Sequence, residues 1–102
     1  VNDYRVMFTA DANRPLGPDA GGRLAKALAG MPGAEGVESA ERDGTEGRVT
    51  ATFWIKVRLG MADAARDGSR LAKEALKAAG MGDAQLIELS VSLGETPAPR
   101  RT

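Results

Sequence analysis

Two hydrophobic periods alternate along the chain. In YRVMFTA (residues 4–10), Tyr4, Val6 and Phe8 alternate with Arg5, Met7 and Thr9, which predicts a first strand. From about Asp19 the period lengthens: Ala20, Leu24, Ala27, Leu28 and Met31 fall on one face of a helix running to Ala29. Asp19, following Pro18, is its expected N-cap, and Gly30 its expected C′ residue. GVESAERDG (36–44) reads as a weak, charged strand, and RDGTEG (42–47) as the turn after it. RVTATFWIKVRL (48–59) is the strongest strand signal, setting Val49, Ala51, Phe53, Ile55 and Val57 against Thr50, Thr52, Trp54, Lys56 and Arg58. A second helix is expected over about 63–79, opened by Asp63 and stopped by Gly80. Its apolar stripe is Gly68, Leu71, Ala72, Ala75, Leu76 and Ala79. Gly68 weakens a helix by about 1 kcal/mol relative to alanine, a cost that close packing on a sheet would explain. AQLIELSVSLG (84–94) sets Ile87, Leu89, Val91 and Leu93 against Leu86, Glu88, Ser90 and Ser92, a last strand.

The halves echo one another. RLAKALAGMPG (23–33) matches RLAKEALKAAGMGD (70–83), so strand–helix–strand occurs twice, over roughly 1–47 and 48–95. This βαββαβ order resembles the ferredoxin-like α/β plait over residues 4–94, and is similar to small uncharacterised bacterial plait proteins. The resemblance implies an α+β class, a four-stranded antiparallel sheet of order 4-1-3-2, and two helices on one face. Strands one and three would then be central, with their outward side chains on an open platform. One domain is expected over 1–94, and a flexible tail over 95–102 (ETPAPRRT). The expected core is Val6, Phe8, Leu24, Leu28, Val49, Phe53, Ile55, Val57, Leu71, Leu76, Ile87, Leu89 and Val91. No activity comes with the resemblance, because this plait hosts enzymes, RNA binders, metal carriers and regulatory modules.

Composition removes whole classes of chemistry. The 102 residues are 42% hydrophobic and 27% charged, unlike a disordered chain. Lys+Arg and Asp+Glu both number 14, so no global field recruits nucleic acid or membrane. Cysteine and histidine are absent, which excludes disulfides, Cys/His zinc sites, thiol nucleophiles and histidine triads. No cofactor is expected. VNDYRVMFTA (1–10) is not a secretory signal, and no apolar run approaches the roughly 20 residues that span a bilayer. A cytoplasmic protein is expected, and the Ala-, Gly- and Arg-rich usage suits a bacterial source.

Individual motifs are weak. The first loop, DANRPLGPDAGG (11–22), lacks the cysteine pair of metal-carrying plaits. Asn13 and Arg14 fall where an acylphosphatase-type plait cradles phosphate, but the glycine pattern does not match. GPDAGGRL (17–24) has Arg23 and Leu24 where a phosphate loop needs Lys and Ser/Thr, so its glycines read as packing against the sheet. Pro15 breaks the calcium-loop start at DAN (11–13). The acidic segment 35–46 could attract a hard cation, but on an edge strand its charge reads as protection against aggregation.

Two candidate sites remain. The first is an interaction face of Arg5, Met7, Thr52, Trp54, Lys56 and Arg58 on the helix-free side of the sheet. Trp54 would lie there beside Lys56 and, across strands, near Arg5 or Met7. The second is an anion or ligand edge, where Asp11, Asn13, Arg14 and Asp63, with Arg58, would converge if both strand-to-helix loops leave one end of the sheet. The first favours a non-enzymatic interaction module, a homodimer or one with another protein partner, because tryptophan and arginine commonly anchor interfaces. One alternative is a single-stranded nucleic-acid binder on the same face, weakened by the missing aromatic doublet and the neutral charge. The other is a small-molecule or anion-binding domain, or a dimeric plait-type enzyme. No residue qualifies as catalytic, which favours a non-enzyme.

Overall fold

The computed structural model describes residues 2–43, 47–58 and 60–93. Its elements run β1 (Asn2–Asp11), α1 (Ala20–Ala29), β2 (Ala34–Asp43), β3 (Arg48–Val57), α2 (Met61–Ala78) and β4 (Gln85–Leu93). The strands form one antiparallel sheet in the order β2-β3-β1-β4, the expected order read from the other edge, so the chain has the βαββαβ topology of a ferredoxin-like plait. Among the described residues no helix is long and apolar enough to cross a membrane. The turn at 44–46, Leu59 and the tail from 94 onward lie outside the described residues.

The helices cover one face because both apolar stripes meet the same strand phase. Val6, Phe8, Val49, Phe53, Ile55 and Val57 are buried with Leu24, Leu28, Leu71 and Leu76. Phe8 and Phe53 meet edge to face, with ring centroids 6.2 Å apart and planes at 76°. Two glycines bring the helices down onto the sheet. A Cβ built at Gly68 would meet both Val6 methyls at 3.0 Å, and one at Gly21 would lie 2.7 Å from Glu41 Cα. The low helix propensity of Gly68 is therefore the condition of close contact between α2 and β1.

The end of α2 explains a core residue that periodicity does not reveal. Gly80 takes φ +83°, its N–H donates to Lys77 O at 3.1 Å, and Met81 N–H donates to Leu76 O at 2.7 Å. This Schellman closure turns Met81 back into the core, where it is fully buried. Gly30, expected to turn left-handed after α1, instead has φ −91°. Helix α2 begins at Met61, not Asp63, because the Gly60 carbonyl accepts from the Asp63 and Ala64 amides at 3.1 and 3.2 Å. Asp63 sits in the first turn, where its negative charge suits the helix N-terminus, 3.3 Å from Arg66.

One expected core residue is exposed. The β1–β4 pairing shifts between Thr9 and Ala10, so Thr9 faces Glu88 while Ala10 faces Leu86. Ile87 is the extra residue of this bulge and is 48% exposed, whereas Leu86 packs against the core instead of joining the helix-free face. Leu89 and Val91 pack against the core as expected.

Candidate functional site

The helix-free face is a grid set by strand register. Arg5 lies opposite Trp54 and Ser92, Met7 opposite Thr52 and Ser90, and Thr9 opposite Thr50 and Glu88. The Thr9 and Thr50 hydroxyls hydrogen-bond at 3.2 Å. Lys56 and Arg58 are exposed toward one end, and Met7 is 40% exposed at the centre.

Trp54 lies on the expected face with the expected neighbour, but it is not open. It is 5% exposed and Thr52 3%. The β2–β3 register slips between Val37 and Ser39, leaving Glu38 at the irregularity. From there Glu38 meets Arg5 on the far side of β3, accepting from its Nε at 3.1 Å and its Nη2 at 2.6 Å. This bidentate pair spans the central strand that carries Trp54. Hydrogen bonding to Glu38 stabilises the charged guanidinium and raises the Arg5 pKa. The Trp54 indole N–H is buried and meets no acceptor among the described residues. A nearly closed indole offers little surface for stacking a base. The residue that sequence reasoning left out of the face is Glu38, which counted only among the acidic residues of 35–46.

The second candidate site does not assemble. Asp11 pairs with Arg48 and Asn2 with Val57, so β1 and β3 run antiparallel and their following loops leave opposite ends of the sheet. Asp11, Asn13 and Arg14 are at one end; Arg58 and Asp63 are at the other. Asn13 occupies a left-handed turn at φ +58°, its amide donating to Asp11 Oδ1 at 2.8 Å. Arg14 reaches the loop after α2 instead, donating from Nε to Asp83 Oδ2 at 2.8 Å and from Nη2 to Asp83 Oδ1 at 3.0 Å. That contact holds the Asp83 carboxyl below its usual range and raises the Arg14 pKa. At the opposite end, Lys56, Val57, Arg58, Asp63 and Asp67 line a surface groove of about 430 Å³. A second groove, about 700 Å³, runs between α2 and the start of β4 past Lys73, Lys77 and Leu86.

Among the described residues no three carboxylates cluster as a metal would need. In the acidic segment, Glu38 is engaged by Arg5, and the Arg42 guanidinium donates to the Leu16 carbonyl at 2.9 Å. No family model matches the chain, and no curated protein matches it significantly.

Proposed function

We propose that this chain is a non-enzymatic interaction module that works as a homodimer and presents its helix-free sheet face, around Trp54, to a protein partner. The observation that marks this face as the partner site is the indole N–H of Trp54, buried with no acceptor among the described residues on the strand that the Arg5–Glu38 pair spans. An unpaired buried donor costs about 1–3 kcal/mol. A partner that displaces the Arg5–Glu38 pair and brings a carbonyl or carboxylate recovers that energy, while freeing a charged fork for its own acidic groups. Arg5 and Glu38 are 40% and 35% exposed at their side chains, so the pair is accessible enough to open.

Sedimentation equilibrium across the micromolar range, followed by the fluorescence of the sole tryptophan, tests the reading. The expected result is twice the chain mass at high concentration. A strict monomer at several hundred micromolar removes the homodimer. The face is tested by Arg5→Ala, which should expose Trp54 and red-shift its emission; an unchanged spectrum would mean that the pair does not cover the indole.

A further inference from the structure

The two edges of the sheet differ in kind. β2 carries Glu35, Glu38, Glu41 and Arg42 and two register irregularities, features that discourage pairing with another chain. β4 carries one charge, Glu88, no proline over Gln85–Leu93, and a single register shift, at Ile87 near its start. Among the described residues it also holds two of the four exposed large hydrophobics, Ile87 at 48% and Leu93 at 60%. These two are symmetrically placed about Ser90.

We propose that β4 pairs antiparallel with the β4 of a second copy about a two-fold axis at Ser90; this rests on the homodimer reading and specifies its interface. In that register Ile87 faces the partner's Leu93, and Leu89 faces the partner's Val91. Both exposed apolar residues are thereby covered, on the side of the sheet that carries the helices. On the other side Glu88 faces the partner's Ser92, and Ser90 faces its own copy. The two Glu88 carboxylates are offset by four residues, about 14 Å along the strands, beyond a physiological Debye length. Moving the axis one residue to Leu89 sets Leu93 against Gln85 and leaves it without an apolar partner. The Ser90 axis therefore matches apolar to apolar and keeps like charges apart. Pairing in this way makes one eight-stranded sheet, with both helix-free faces, and so both Trp54 positions, on one side.

The absence of cysteine makes the register directly testable. Ser90→Cys places the only thiol opposite its own copy, and directly opposed residues in antiparallel strands lie about 4.5–5.5 Å apart at Cα, within disulfide range. Ser39→Cys is the control, since Ser39 is also exposed, on the helix-free side of the other edge strand. Under mild oxidation, Ser90→Cys should become a covalent dimer about tenfold faster than Ser39→Cys or more, because pairing raises the effective thiol concentration. Ile87→Lys, at an exposed position, should weaken dimerisation of the otherwise unmodified chain by about tenfold or more. A dimer in which Ser90→Cys crosslinks no faster than Ser39→Cys overturns this interface and leaves the homodimer standing. An unmodified chain that stays monomeric overturns both.

Discussion

Replacing Gly21, Gly22 and Gly68 one at a time by alanine separates helix propensity from helix–sheet contact. Alanine favours a helix interior by about 1 kcal/mol over glycine, and less in a first turn, where α1 holds Gly21 and Gly22. At Gly22 a new Cβ meets nothing within 4 Å. Gly22→Ala should therefore stabilise the protein by about 0.5 kcal/mol. At Gly21 the same methyl would lie 2.7 Å from Glu41 Cα and 2.8 Å from the Ala40 carbonyl oxygen, both backbone atoms of β2. Relief requires α1 to lift from the sheet or β2 to move. Overpacking of that kind costs about 1–3 kcal/mol, so the net effect should be a loss of about 1–2. Gly68→Ala meets Val6 methyls at 3.0 Å, which side-chain adjustment can partly relieve, so its loss should be smaller than that of Gly21→Ala. Urea unfolding measures all three, provided the m-values agree. If Gly21→Ala stabilises as much as Gly22→Ala, α1 does not rest on β2 and the packing argument is wrong.

Phe53→Ala should cost about 3–5 kcal/mol in chemical denaturation, as for other buried aromatics; a loss under about 1 kcal/mol would mean the faces of β3 are inverted. Trp54→Phe should change stability by less than about 1 kcal/mol, since losing ring area is offset by losing the unpaired N–H, whereas Trp54→Ala should cost about 2–3. A Trp54→Phe loss well above about 1 kcal/mol would show that the indole N–H makes a bond. The Asp83 pKa is lowered in the folded state, so its contribution is present above the ordinary aspartate pKa, about 4, and fades as pH falls through the lowered value. Asp83→Asn should flatten that acid limb, and salt should shrink the difference between variant and parent; an unchanged limb would sink the assignment.

What was legible in the sequence was whatever repeats with a fixed period. Alternation alone sets Phe53 and Trp54 on opposite faces, and in the structure Phe53 is fully buried in the core and Trp54 lies opposite Arg5. Alternation fails where the pleat is interrupted. One extra residue in β4 sends Ile87 to solvent and Leu86 to the core, and nothing in AQLIELSVSLG marks that bulge. The Arg5–Glu38 pair across the strand of Trp54 is hidden for a similar reason, since Glu38 lies 33 residues from Arg5, at a slip in β2. Leu16 and Met81 are buried from connections, where no period applies. The expected ligand edge failed on strand direction: β1 and β3 are neighbours but antiparallel, so Arg14 finds Asp83 instead of the Asp63 end.

The central claim, that the working form is a homodimer, is tested most directly by the midpoint of thermal unfolding as a function of protein concentration. Dimerisation stabilises the folded state by mass action, and a tenfold rise in concentration above the dissociation constant adds about 1.4 kcal/mol of association energy. The account predicts a midpoint that climbs by several degrees per tenfold in the high-micromolar range. A midpoint that stays constant across that range would contradict it.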